Sequence, residues 1–232
     1  MGSPSIIWGM SRYDAVCFDL DSTLCESTRS REQLLAATFD CVGVEPFCTP
    51  ASLRAASTAI PSAETDREFF ELLFAEAANR ADLDPGIGPD LADAYLGVVD
   101  PGAVRFRPGA MEALKSARDV GPVGLITNGS RGTQTQKLEA LDLREFFDVA
   151  VFTDLENGVP PKPDSTPFET ALSGLGVVPE GTIHVGDSLH ADVGGANAMG
   201  MDSAWVDPGI DTLGVHEPTY ELASLEEFPA VL

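Results

Sequence analysis

The sequence has few basic residues: 14 lysines and arginines stand against 37 aspartates and glutamates in 232 residues, for a formal net charge of −23. This shortage argues against a nucleic acid polymer as a partner, because a phosphate backbone is bound by a basic surface. The like charges repel one another and weaken compaction unless salt screens them. We therefore expect a protein of a high-salt, halophilic cytoplasm. The alternative is a merely acidic protein of an ordinary cell.

Long apolar runs are also missing. No stretch approaches the ~18 consecutive apolar residues of a transmembrane helix, so we expect no membrane partner. The N-terminal residues lack a basic segment followed by an apolar run, which argues against a signal peptide. Residues 1–10 have an uncertain status: they are either an expression leader or the product of a start codon ahead of Met10.

Cysteine is scarce, with four residues in the chain. No two of them form a C-x-x-C pair, and no histidine lies at the spacing of a zinc site. We expect buried free thiols in a reducing compartment, which agrees with a cytoplasmic location. The four residues are Cys17, Cys25, Cys41 and Cys48.

Strand and helix patterns alternate from residue 104 onward. Buried strands are predicted at 13–18, 123–126, 149–152, 182–185 and 204–206, and helices at 109–119, 131–141, 166–174 and about 189–199. This alternation is typical of an α/β fold with a Rossmann-like parallel sheet and helices on both of its faces.

The segment 27–104 has a different pattern. Its apolar residues recur at helical spacing, prolines punctuate the gaps, and we find no strand signal. The simplest arrangement is an all-helical cap domain, 27–104, inserted into a core domain formed by 11–26 and 105–232.

Two carboxylates follow the first strand directly, at Asp19 and Asp21. Residues two apart on an extended segment point to the same side, and ligands gather at the carboxyl ends of parallel strands. One carboxylate could attack phosphorus while the other serves as general acid and base. The alternative is a solvated turn in an aspartate-rich chain.

Three further polar clusters follow predicted strands. Thr127 and Asn128 could bind a phosphate, although capping of the next helix is a common role for such residues. Lys162 could neutralise phosphate and hold the attacking carboxylate, or be an exposed loop residue. Asp187 and Asp192 offer hard oxygen ligands for Mg²⁺, the alternatives being a helix cap for Asp187 and a surface position for Asp192.

The order of the clusters carries more weight than any one of them. Each lies at the carboxyl end of a predicted parallel strand, so all four should meet at one edge of the sheet. Together they supply a nucleophile, an acid/base, phosphate donors, a cation and a metal site. Phosphoryl transfer depends mainly on such positioning and charge neutralisation.

These clusters resemble the four ordered motifs of the haloacid dehalogenase superfamily, over residues 14 to about 207. The resemblance implies Asp19 as nucleophile and Asp21 as general acid/base, both also touching Mg²⁺. It implies Asp187 as a further metal ligand, with Asp192 the second acid of that motif. It implies that the substrate phosphate is bound by Leu20, Thr127, the Asn128 amide and Lys162.

The implied activity is Mg²⁺-dependent hydrolysis of a small-molecule phosphate ester through an aspartyl-phosphate, in a branch similar to phosphoglycolate phosphatases and nucleotidases. The alternatives are a phosphomutase, a 2-haloacid dehalogenase and a non-catalytic binding protein. The dehalogenases lack the aspartate found here at Asp21. Two departures from the family pattern are Ser22, where glycine is commonest, and one extra residue before Lys162. The identity of the ester and the oligomeric state stay open.

Overall fold

A computed structural model of the chain describes residues 12–61, 63–209 and 215–232. Residues 1–10, the uncertain leader, lie outside the described part. The central feature is a six-stranded sheet whose strands are all parallel, in the order β5-β4-β1-β6-β7-β8. Its strands are β1 (Ala15–Phe18), β4 (Val123–Ser130), β5 (Val149–Thr153), β6 (Thr182–Gly186), β7 (Asp202–Val206) and β8 (Tyr220–Leu222).

Helices cover both faces of this sheet, as the alternating pattern predicts. They are α5 (Ala110–Val120), α6 (Arg131–Ala140), α7 (Ser165–Leu175) and α8 (Gly194–Met199). Strand β1 is fully buried and its side chains alternate between two apolar clusters, which is why it reads as a continuous hydrophobic run. Phe18 packs edge-on against Phe228 on one face, whereas Cys17 belongs with Phe168 to the other.

The segment between β1 and α5 contains four α-helices with their own small apolar cluster, formed by Leu35, Phe39, Phe74 and Leu91. The helices are α1 (Arg31–Val42), α2 (Pro50–Ser57), α3 (Asp66–Arg80) and α4 (Gly88–Val98). Two short antiparallel strands, β2 (Cys25–Ser27) and β3 (Val104–Phe106), pair where the chain leaves and re-enters the core.

The structure corrects four details of the sequence prediction. Ser27 and Val104 belong to the paired strands β2 and β3, although no strand signal is visible over 27–104. Strand β8 was not predicted, and the helix expected over about 189–199 is a π-helical turn, Leu189–Val193, followed by α8. All four cysteines are free, but only Cys17 and Cys25 are buried; Cys41 is exposed. Within the described residues, no helix is both long and apolar enough to cross a membrane.

Candidate active site

The side chains of all four sequence clusters line one cavity of about 230 Å³. The cavity lies at the carboxyl ends of β1, β4 and β6, the three adjacent strands at the centre of the sheet. Parallel strands bring their carboxyl ends to the same edge, so residues far apart in sequence meet there. The predicted residues that line it are Asp19, Asp21, Thr127, Asn128, Lys162, Asp187 and Asp192.

Lys162 joins two of the buried carboxylates. Its Nζ lies 2.8 Å from Asp19 Oδ1 and 2.6 Å from Asp192 Oδ1, and it also donates to the Ile126 carbonyl at 2.5 Å. Burial alone would lower the pKa of Lys162, but the two carboxylates raise it, so the ammonium stays charged. The extra residue before Lys162 therefore does not keep the side chain from Asp19.

Burial raises the pKa of Asp19 to about 7, with Asp192 and Asp21 adding to the rise and Lys162 opposing it. The same effect is stronger at Asp187, where burial and the charges of Asp19 and Asp192 raise the pKa to about 8. Without further positive charge, the cavity thus disfavours full ionisation of these carboxyl groups.

Asp19, Asp187 and Asp192 form a candidate metal site. Each offers a carboxylate oxygen, and these oxygens lie within 4.8 Å of one another. The pKa values of Asp19 and Asp187 are raised and the three carboxylates repel one another, and a divalent cation such as Mg²⁺, which prefers hard oxygen ligands, would relieve this repulsion. The residues present therefore fit the metal that the sequence predicts.

Asp192 is held from several sides by the turn that carries it. The π-helical turn after β6 brings its carboxylate back to the Ser188 backbone N–H, at 2.9 Å, and to His184 Nε2, at 3.0 Å. Gly186 leaves room for it, since a Cβ there would lie 2.2 Å from Asp192 Cγ. Burial would raise the pKa of Asp192, but Lys162 and His184 hold it well below the usual range. Asp192 is thus buried and ionised, not a surface residue.

Asp21 is bound by two residues of helix α6 that the sequence interpretation did not assign to the site. Lys137 Nζ lies 2.7 Å from both carboxylate oxygens, and Gln134 Nε2 donates to Oδ2 at 2.8 Å. Gln134 is buried, and its Nε2 also donates to Thr127 Oγ1 at 2.6 Å. A buried glutamine in an otherwise polar helix is visible in sequence only after the core face of α6 is known.

For two of the predicted phosphate-binding residues, Asn128 and Leu20, the side chain has another role than donating to phosphate. The Asn128 side chain brackets the Lys162 backbone, accepting from its N–H at 2.7 Å and donating to its carbonyl at 2.9 Å. It therefore fixes the loop that presents Lys162. The Leu20 side chain is buried in the core and does not line the cavity, so a phosphate contact there would have to come from its backbone N–H.

Two arginines of the inserted helices lie near the site and were not predicted. Arg31 Nη2 donates to Ser22 Oγ at 2.8 Å, directly beside Asp21. Arg54 lies close enough to Asp187 to feel its charge. Ser22 has a φ of 63°, in the left-handed region that favours glycine, which explains why a glycine is the easier residue at this turn.

The chain is similar in sequence to a known protein family and to several known proteins. The family model of haloacid dehalogenase-like hydrolases matches residues 13–200. The chain is 32% identical to the pyrophosphatase PpaX of Halalkalibacterium halodurans, over 68% of this chain and 82% of that one. It is 29% identical to the ribulose-1,5-bisphosphate 5-phosphatase of Halopiger xanaduensis, over 85% of this chain and 86% of that one.

The chain spans about half the length of other curated relatives that it matches, from 42% to 49% for three of them. Among solved structures, the magnesium-bound HAD-hydrolase YfnB of Bacillus subtilis superposes with a TM-score of 0.73 at 21% identity. That match covers 96% of this chain and 99% of the other, and it shows that the two share a fold.

Proposed function

Since this chain belongs to the haloacid dehalogenase-like hydrolase family, we propose that it is a magnesium-dependent phosphatase of small phosphate esters that works through an aspartyl-phosphate. The observation that carries the proposal is the contact of Lys162 with Asp19 beside the carboxylates of Asp187 and Asp192. A nucleophile, a cation and a metal site are thus concentrated in one cavity. Several relatives are named as phosphatases of small phosphate compounds, which supports the same substrate class.

Asp19 is the nucleophile of the first step. Lys162 holds its Oδ1 and leaves Oδ2 to attack phosphorus, forming the acyl phosphate as the bond to the leaving oxygen breaks. Asp21 donates a proton to that oxygen, so the alcohol leaves neutral. Lys162 and the polar groups at the end of β4 neutralise the charge on the phosphoryl oxygens.

Water completes the cycle in the second step. Asp21, now deprotonated, removes a proton from a water that attacks the phosphorus of the aspartyl-phosphate. The acyl–oxygen bond to phosphorus breaks, which restores the Asp19 carboxylate and releases inorganic phosphate. Gln134 and Lys137 orient Asp21 for both proton transfers.

Asp19, Asp187 and Asp192 would hold Mg²⁺, with the Asp21 carbonyl as a further candidate ligand. When bound, the ion neutralises the charge that the carboxylates and the phosphate bring together.

Phosphate release from a panel of metabolite esters, in high salt and with or without Mg²⁺, tests this function. We expect hydrolysis that depends on Mg²⁺ and is lost in Asp19→Asn. Asp119→Asn, an exposed position, serves as the matched control and should keep full activity. Acid quenching with a labelled ester should trap phosphate on the protein, more in Asp21→Asn than in the native chain. Full activity in Asp19→Asn would rule out the covalent mechanism.

A further inference from the structure

A second, larger cavity of about 620 Å³ adjoins the first and shares Asp21 with it. Its size suits the part of a small ligand that is not transferred. Its charge is the reverse of the chain's, because five of the 14 basic residues line it against three of the 37 acidic ones. The basic ones are Arg29, Arg31, Arg105, Arg107 and Lys137, and the acidic ones Asp21, Glu26 and Asp100.

Two of these cations are neutralised by carboxylates of the same cavity, Lys137 by Asp21 and Arg105 by Glu26. In the described part of the chain, the other three contact only neutral oxygens. Arg29 donates to the Val98 carbonyl, Arg107 to the carbonyls of Ser22 and Asp207, and Arg31 to the Ser22 hydroxyl. Among the described residues that line the cavity, the basic side chains therefore outnumber the acidic ones by two, even when Asp100 is counted.

Of these three arginines, Arg31 is the one that contacts a side chain, the hydroxyl of Ser22, which directly follows Asp21. Its bond to Ser22 Oγ uses one of the five N–H donors of the guanidinium. Ser22 adopts a φ of 63°, where glycine would be unstrained, but glycine would lack the side-chain oxygen that accepts from Arg31.

Arg54, on helix α2, is a further cation whose charge acts on that of Arg31, although it does not line the cavity itself. It is half-buried, and among the described residues no ion pair or hydrogen bond engages it. Burial lowers its pKa, the charge of Arg31 lowers it further, and Asp187 opposes the shift. Arg54 thus lies within electrostatic reach of both Arg31 and the candidate metal site. The repulsion between the two cations would be relieved by a bound anion.

We propose that Arg31 anchors a subsite in this cavity for a second anionic group of the substrate, a carboxylate or a second phosphate, while the phosphate to be transferred lies at Asp19. This inference rests on the proposed function and names its substrate class: small phosphate esters with two anionic groups, in preference to esters of neutral alcohols. The planar guanidinium of Arg31 matches the oxygens of either group.

Three esters with the same propyl skeleton test the subsite: 3-hydroxypropyl phosphate, 2-carboxyethyl phosphate and propane-1,3-diyl bisphosphate. The native chain should show a kcat/KM at least about tenfold higher for one or both doubly anionic esters, since a charge-assisted contact supplies that much. Comparing the carboxylate with the bisphosphate identifies the preferred group. Arg31→Gln should lose this preference through a larger rise in KM for the doubly anionic esters than for the hydroxypropyl ester, and Arg54→Gln should weaken the preference. Arg80→Gln, which removes a cation paired with Glu76 on α3, is the control and should change nothing.

The outcomes separate this inference from the proposed function. Hydrolysis of all three esters with no preference in the native chain, or equal losses on all three in both variants, overturns the subsite and leaves the phosphatase in place. If no ester is hydrolysed, the phosphatase proposal fails, and calorimetric titration with the same compounds decides the subsite. Binding of a doubly anionic compound that Arg31→Gln abolishes would support it, and absence of binding would overturn it.

Discussion

The Lys162 ammonium nitrogen lies 2.8 Å from Asp19 Oδ1, and the two side chains are only 1% and 9% exposed. This contact joins a loop before α7 to the end of β1, across 143 positions of sequence. A lone buried ammonium or carboxylate would be strongly unfavourable, so each group depends on the other and on Asp192.

Replacing Lys162 by methionine should destabilise the protein, because the carboxylates of Asp19 and Asp192 would lose their buried cation. We expect a loss of about 3 kcal/mol or more in the free energy of unfolding at neutral pH without Mg²⁺, measured by urea titration. Lys115→Met, at an exposed position of α5, should change stability by less than about 0.5 kcal/mol. Equal stability of the two variants would show that the buried ion pairs do not hold the site together.

Asp187 should make the metal-free protein less stable as pH rises. Its pKa is raised from 3.8 to about 8, so between these values the folded state binds more protons than the unfolded state. The contribution of Asp187 is therefore fully present below its unfolded pKa and is lost as pH rises through about 8. Asp187→Asn removes this dependence, and at pH 8 it should be more stable than the native chain by about 1 kcal/mol or more.

Thermal unfolding of both proteins across this pH range, with a chelator present, measures the difference. Asp119→Asn should follow the native curve, since Asp119 is exposed. A native curve parallel to that of Asp187→Asn throughout would contradict the effect of burial on this carboxyl group.

Gln134 should affect catalysis through Asp21 and Thr127, both of which its Nε2 contacts. In Gln134→Met we expect kcat to fall about 10-fold to 100-fold with little change in KM, since a positioning bond to the acid/base acts mainly in the transition state. Gln136→Met is the matched control, because Gln136 is exposed on the same helix and bonds only to the Gly132 carbonyl. A larger effect on KM than on kcat would assign Gln134 to substrate binding instead.

Salt should stabilise this chain. With a formal net charge of −23, repulsion among surface carboxylates opposes folding and is screened as ionic strength rises. We expect the melting temperature to increase steadily from about 50 mM to above 1 M KCl. Maximal stability near the low end of that range would refute the halophilic interpretation of the composition.

The sequence predicts the layers of this fold because buried parallel strands are short continuous apolar runs, and the helices between them keep one apolar face. Strands β1, β4 and β6 have this character, and the residues that follow them share an edge as a direct result of the parallel order. The strands β2, β3 and β8 cannot be predicted in this way, because three residues are too few for a periodic pattern to show.

Contacts between distant side chains were harder to predict than the elements that carry them. That Asp192 turns inward depends on a π-helical turn and on the absence of a Cβ at Gly186, neither of which periodicity reveals. Gln134 becomes significant only because α6 packs its first turns beside Asp21. Arg31 and Arg54 lie on helices whose orientation toward the core is set by packing between segments.

The pairing of β2 with β3 has a consequence for how the inserted helical segment could vary. Cys25 pairs with Phe106 and Ser27 with Val104, so both ends of the inserted helical segment are tied together at the spacing of adjacent strands. An insertion whose two ends already touch can be lengthened, trimmed or exchanged as a cassette without altering the register of β1 against β4. Evolution or engineering can thus change the inserted segment, and with it the surface that recognises a ligand, while the residues at the sheet edge stay the same.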